Sequence, residues 1–223
     1  TEIFFVIDEF CKNFNKVVSA HTIKQDNGKK TRNRKSILSD SEVMTILILF
    51  HSGGYKNLKH FYIYYVQEHM KKEFPETVAY NRFVELQKKV IMHLAIFLKT
   101  CCLGKCTGIS YIDSTPLRSC HIKREKQHKV FKGIAQKGQC SLGWFYGFKL
   151  HIIINDRGEI LDSIITPGNV NDRKPLNDMD LHKRIFGKLY GDKGYISKDL
   201  FEKLFVDGVH LITKIKKNMK NSL

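Results

Sequence analysis

The chain has 223 residues and is strongly basic, with 38 lysines and arginines against 22 acids and a formal charge of +16. That length allows one generous domain or two small ones, and 42% hydrophobic residues are enough for a core. No apolar run reaches the ~18 residues of a membrane span, and the charge favours a polyanionic partner through counterion release.

The opening "TEIFFVIDEF" is acidic where a secretion signal would be basic, and Thr1 rather than Met starts the chain, as in a fragment. Ile3, Ile7, Phe10, Phe14 and Val17 recur at helical spacing. The polar stretch "KQDNGKKTRNRKS" then reads as a loop, in which Lys29, Lys30, Arg32, Arg34 and Lys35 form a basic cluster, either a DNA arm or simple disorder. "SDSEVMTILILFHSGG" carries a capping box, Ser39 with Glu42, ahead of a buried helix that stops at Gly53–Gly54. Leu58, Phe61, Tyr62, Tyr65, Val66 and Met70 make another apolar stripe, read as core, and a last helix runs from about Tyr80 to Cys101.

After Gly104 the texture changes to strands. "GISYIDSTP" is a short strand stopped by Pro116, with Asp113 at its end. "FYGFKLHIIIN" is longer, and its alternation assigns Tyr146, Phe148, Leu150, Ile152 and Ile154 to the core side, leaving Lys149 and His151 on the site or solvent side. "DRG" turns the chain into a third strand, "EILDSIIT". A helix from Pro175 to about Phe186, the strand "GKLYGD", a helix capped by Ser197 and stopped by Gly208, and the strand "VHLITKI" follow. The reading is a helical region, 1–105, then an α/β domain, 106–223. That domain is a mixed sheet with flanking helices in the ribonuclease H-like order, preceded by the all-helical region. The helical region is expected to bind DNA ends or to dimerise.

In that order the first and fourth strands are neighbours, so Asp113 and Asp192 meet at one edge. Each alone reads as a turn residue. Together they repel unless a divalent cation lies between them. Magnesium, with manganese as a substitute, suits such oxygen ligands, because it is held by one or two carboxylates plus substrate phosphate. Two such ions can activate the attacking oxygen and stabilise the leaving one in phosphodiester cleavage. Gly191 and Gly194 would leave room for a phosphate backbone.

Between the first two strands, Ser114–Phe145 holds Arg118, Lys123, Arg124, Lys126, Lys129, Lys132 and Lys137, with Glu125 as its one acid. Such charges position a duplex without reading its sequence. His121 and His128 read as phosphate contacts, and Lys149 joins the DNA-facing set. Trp144, the single tryptophan, reads as core, with base stacking as the alternative. The six cysteines contain no Cys-x-x-Cys pair and read as reduced thiols of a cytosolic protein. Cys101, Cys102, Cys106, Cys120 and His121 match no standard zinc spacing.

"ILSDSEVMTILIL", "YIDSTPL", "HKVFKGIAQKGQ…GWFYGFKLHIIIN", "TPGNVNDRKPL" and "YGDKGYISKDLFEKL" together resemble the DDE transposases of bacterial insertion sequences, the nine-eighty-two family in kind, from about Lys35 onward. The resemblance implies metal-dependent cleavage at transposon ends and joining of the 3′ hydroxyls to target DNA. Asp113 and Asp192 would be the first two acids and metal ligands. Tyr195 would support the site or touch DNA near it. The expected partners are double-stranded DNA and a second copy of the chain, with no membrane, in a nucleoid-associated cytoplasmic setting. The family's third acid, a glutamate on a helix after the fifth strand, has no counterpart before Leu223. Glu202 lies on the wrong helix, and Asp172, the other candidate, is read as serving its own loop through capping or backbone contacts. The chain is therefore expected to be a fragment or a truncated relic. A ribonuclease H-like nuclease and a DNA-binding remnant stand as alternatives.

Overall fold

A computed structural model describes residues 2–21 and 36–214. They fall into two compact units, Thr1–Cys101 and Cys102–Leu223.

The first unit is helical: α1 (Glu2–His21), α2 (Asp40–Ser52), α3 (Leu58–His60), a π-helical turn (Phe61–Val66), α4 (Gln67–His69) and α5 (Tyr80–Cys101). The capping box forms as the sequence predicts. Ser39 Oγ accepts from Glu42 N, and the Glu42 carboxylate accepts from Ser39 N at 2.7 Å. Gly53 closes the helix. The apolar run that follows the cap buries Val43, Met44 and Ile46 against Phe61, Tyr62 and Val66. Each such side chain contributes about 1.5–3 kcal/mol by leaving water. Tyr62 is fully buried, donates to the Val78 carbonyl at 2.7 Å and stacks on Phe83. Ile3 and Val17, assigned to the apolar stripe of α1, are exposed, and only Ile7 and Cys11 of that helix are buried. Among the described residues, no helix is long and apolar enough to cross a membrane.

The second unit is built on one mixed sheet. Its strands are β1 (Ile109–Cys120), β2 (Gln136–Cys140), β3 (Gly143–Asn155), β4 (Ile160–Pro167), β5 (Gly187–Gly191) and β6 (Val209–Thr213). Helices α6 (Lys174–Asp178) and α7 (Lys198–Val206) lie in the connections. β3 pairs antiparallel with β1 on one edge, and with β2 and then β4 on the other. On the far side of β1, β5 and then β6 add in parallel. The order β4-β3-β1-β5-β6 is the ribonuclease H-like arrangement, with β2 an unforeseen extra strand at the edge.

Three expectations need correction here. Pro116 does not stop β1, which continues to Cys120 with Pro116 opposite Lys149. β5 pairs only with Ile109–Tyr111, so among the described strands the other edge of β1 is free beyond Tyr111, where a missing N–H costs least. Asp113 is therefore not a strand end. It sits two residues past the point where the parallel pairing stops.

The second correction concerns the faces of β3. Phe145, Lys149, His151, Ile153 and Asn155 are buried on one face, while on the other face only Tyr146 of the expected core set is buried and Phe148, Leu150, Ile152 and Ile154 are partly buried. The register shows why. Ile153 lies opposite Ile112 and packs with Leu189, Leu176, Leu200 and Leu204, so α6 and α7 cover this face. Alternation alone picks the more apolar face, but helix packing decides which face is covered, and polar groups with partners are then buried.

Third, the helix after β4 is a single short piece. Asp180 at φ 54° breaks the turn beyond α6, and Leu181 and Ile185 reach the core from irregular backbone.

Candidate functional site

The carboxyl end of the β1/β5 pairing is the natural place for a site, because the parallel ladder stops there while β1 runs on alone along that edge. Tyr111 lies opposite Tyr190, and their rings stack with centroids 5.4 Å apart. Two residues past each of these positions stand Asp113 and Asp192, both exposed. Asp113 shares its sheet face with Tyr111 and Ile152, the half-exposed face. Asp192 caps a 3-10 turn, Lys193–Tyr195, and accepts from Gly194 N at 2.8 Å. Asp113 accepts from Ser114 N at 2.7 Å.

A third carboxylate reaches the same place from the buried face. Asp172, on the loop after β4, accepts at Oδ1 from Ser114 Oγ at 2.8 Å and from Lys149 Nζ at 2.9 Å. Lys149 also donates to the Val170 carbonyl at 3.0 Å. The residue after Asp172, Arg173, donates to the Ile196 carbonyl at 3.3 Å. The loop is thus tied to both strands of the site, to β1 through Ser114 and to the turn after β5 through Ile196. The expectation that Asp172 serves only its own loop is corrected, since its partners are side chains of β1 and β3. Among the described residues, no group of three His, Cys, Asp or Glu side chains is arranged to hold a metal.

Tyr195 lies at the centre of this arrangement. It is 1% exposed, so it is a core residue beneath the site rather than a group offered to DNA. Burial, followed by the charges of Asp172, Asp113 and Asp192, pushes its phenol far above the ordinary range. Ser114 is near enough to oppose that shift, but its hydroxyl points to Asp172, and the Tyr195 hydroxyl has no hydrogen-bond partner of ordinary geometry. The glycine at position 191 is explained by this ring. A Cβ there would sit 3.0 Å from Tyr195 Cδ2 and 3.2 Å from Ile112 Cγ2, so the missing side chain makes room for the core and not for a phosphate. At Gly194 a Cβ would crowd Asp192 Oδ1 at 2.9 Å.

Lys149 is corrected in the same way. It is 9% exposed and its ammonium is engaged by Asp172 and Val170, so it is not presented to a duplex. His151 is fully buried and hydrogen-bonded to Thr166 Oγ1 at 2.9 Å. Burial first, then Lys149, holds its imidazole below the ordinary range, against an opposite push from Asp172. His128 is half-buried between Phe131 and Tyr146, a packing position.

The rest of the basic segment is exposed: Arg118 on β1, Lys123, Arg124 and Lys126 on a 3-10 turn (Ile122–Gln127), then Lys129, Lys132 and Lys137. Trp144, read as core, is 56% exposed, because β2 pairs with the start of β3 and carries it to the sheet's edge. The basic cluster of Lys29, Lys30, Arg32, Arg34 and Lys35 lies outside the described residues, as does the segment after Lys214. The signal missed in the sequence was "GNVND". An acid in a loop that follows a strand can brace the neighbouring strand, and a lysine alternating into a buried face implies such a partner.

This mixed sheet, with two exposed aspartates just past its central parallel pair and a third carboxylate braced below, defines a ribonuclease H-like α/β domain with an acidic edge. The transposase DDE domain family matches residues 103–223, more than half of the chain. The chain belongs to that family. Among solved structures, it is similar to a piggyBac transposase synaptic complex with hairpin DNA, at 13% identity and a TM-score of 0.46, covering 100% of this chain and 50% of that one. It is also similar to the Mos1 transposase paired-end complex with the left transposon end, at 10% identity and a TM-score of 0.28, covering 91% and 66%. For the Mos1 strand transfer complex the values are 12%, 0.30, 91% and 65%. The chain thus spans between half and two thirds of these proteins. No curated protein matches it.

Proposed function

We propose that the chain is the DDE part of a DNA transposase that cuts DNA at the ends of an insertion sequence and joins the freed ends to a target. The observation that supports this reading is the pair Asp113 and Asp192, exposed two residues past the neighbouring Tyr111 and Tyr190 in a chain of this family. Their oxygens are hard donors open to solvent, which fits magnesium or manganese held by two carboxylates and substrate phosphate. Bound there, the cation would supply charge neutralisation for phosphodiester cleavage and joining. The chain's own contribution is positional. Ser114, Asp172 and Arg173 fix the two strands relative to one another, and Gly194 N orients the Asp192 carboxylate. Exposed Arg118, Lys123, Arg124, Lys126, Lys129, Lys132 and Lys137 would hold the duplex by its phosphates.

The helical unit is proposed to recognise DNA ends or to pair two copies, since two ends must be joined. One observation favours a second reading, a protein that binds DNA without cutting it. Only two of the three carboxylates at the site are free of a lysine, and no three-ligand group forms among the described residues. The deciding experiment incubates the chain with labelled insertion-sequence ends and a target plasmid in magnesium or manganese. Cleaved and joined products that vanish in Asp113→Asn and Asp192→Asn support the transposase. Cleavage without joining identifies a nuclease, and chelator-insensitive binding without cleavage identifies the DNA-binding protein.

A further inference from the structure

The hairpin formed by β2 and β3 has a use that the carboxylate site does not account for. Its tip is Ser141–Leu142, and Leu142 is 81% exposed. Trp144 stands beside it, 56% exposed, with the Lys137 ammonium 4.8 Å from its ring centroid. An indole left in water loses the burial energy that usually places tryptophan in a core. A cation over that ring gains from the π face and remains free to meet an anion.

We propose that Trp144 and Lys137 form a nucleotide-binding platform that stacks an unpaired base on the indole and places its phosphate against the ammonium. The proposal rests on the reading that this unit acts on DNA. Three features favour a nucleic acid over an apolar protein surface. The approach to the hairpin alternates exposed apolar and cationic residues, Val130 and Ile134 among Lys129 and Lys132. A base–phosphate unit matches the adjacent aromatic and ammonium groups, and stacking is tolerant of base identity. Finally, alternation along β3 puts Trp144 on the same face as Ile152, the residue opposite Asp113.

The spacing defines which base is contacted. Trp144 lies eight positions along β3 from Ile152. At about 3.3 Å per residue that is roughly 26 Å, or about seven to eight base steps at ~3.4 Å each. The stacked base therefore belongs to a segment some way from the phosphate at Asp113. The interior of a paired duplex hides its π faces, so the platform takes a base that is unpaired, flipped or at a strand end.

Because Trp144 is the only tryptophan in the chain, its emission reports on this site alone. The test titrates the full chain with fluorescein-labelled oligonucleotides: a single strand, a blunt duplex, and a duplex with an unpaired base seven to eight steps from its centre. Anisotropy measures binding while tryptophan emission is followed in parallel. The expected result is quenching by the single strand and the unpaired-base duplex, and little by the blunt duplex. Trp144→Ala should weaken binding of unpaired DNA about 5- to 150-fold, with paired duplex nearly unaffected. Trp144→Phe should restore most of the loss, and Lys137→Gln should flatten the salt dependence. Binding by anisotropy with unchanged emission overturns the platform and leaves the transposase reading intact. Absence of binding to every DNA overturns both. A blue shift that grows with protein concentration without DNA assigns the face to a second copy and also overturns the platform.

Discussion

Ser114 gives its hydroxyl hydrogen to Asp172 at 2.8 Å, and Ser114 is the residue next to Asp113. One exposed carboxylate is thereby held by a strand whose neighbour on the opposite face is clamped to another. The clamp is completed by Lys149, which is 11% exposed at its side chain, against 31% for Asp172. A carboxylate on this buried side relieves the cost of the lysine charge and leaves Asp113 and Asp192 outside.

Asp172→Ala strands the Lys149 ammonium, with Val170 as its remaining acceptor. The expected loss is about 2–4 kcal/mol, below the full cost of breaking a buried pair because Asp172 is partly solvated. Combining Asp172→Asn with Lys149→Met should recover most of it, since an apolar replacement removes the charge that needed a partner. Urea denaturation measures both. A surface control, Lys183→Ala, breaks the exposed bridge to Asp180 and should leave the denaturation midpoint nearly unchanged. Equal losses for the two single variants would show that the clamp carries no special weight.

Tyr195 makes a contrasting prediction, because its ring is packed while its hydroxyl lacks a partner. Tyr195→Phe should be neutral or stabilising by up to about 1–2 kcal/mol, whereas Tyr195→Ala should cost about 3–5 kcal/mol through the cavity left behind. The alkaline behaviour has a definite sign. The folded phenol is raised above its ordinary value of 10.0, so above that pH the folded state keeps a proton that the unfolded chain releases. Stability should fall as pH rises past about 10, and Tyr195→Phe should lessen that fall. Denaturation midpoints at pH 9 and pH 11 check it.

His151 acts at the acid end. Its folded pKa is lowered from the ordinary 6.5, chiefly by burial, with Lys149 lowering it and Asp172 raising it. Below about pH 6.5 the unfolded chain takes up a proton that the folded state resists, so stability is lost as pH falls through that region. His151→Gln, which can keep a bond to Thr166, should flatten the profile between about pH 5 and 7. A profile as steep as that of the parent would place the acid sensitivity in other groups.

Local signals in the sequence were enough for several elements. The cap at Ser39, the stop at Gly53 and the cap at Ser197 are all present where short-range chemistry puts them. Each depends on residues within one turn, so no distant partner can change it. The two exposed aspartates were also legible, because each follows a short apolar strand segment, although Asp113 proved to lie within β1 and not at its end.

Tertiary structure decided what alternation could not. In "FYGFKLHIIIN" both faces are apolar enough to be buried, and α6 and α7 chose the face that holds Lys149 and His151. That choice turned a lysine expected at the DNA into the partner of Asp172, and Tyr195 into the floor of the site. It also left the single tryptophan exposed on a hairpin whose first strand has little apolar patterning of its own. The sequence by itself determined the caps, and most strand segments and the turns between them, since these depend on neighbours a few residues away. Which face was covered, and which charges met, depended on residues 23 to 58 positions apart, whose contact energies exist only once the sheet has closed.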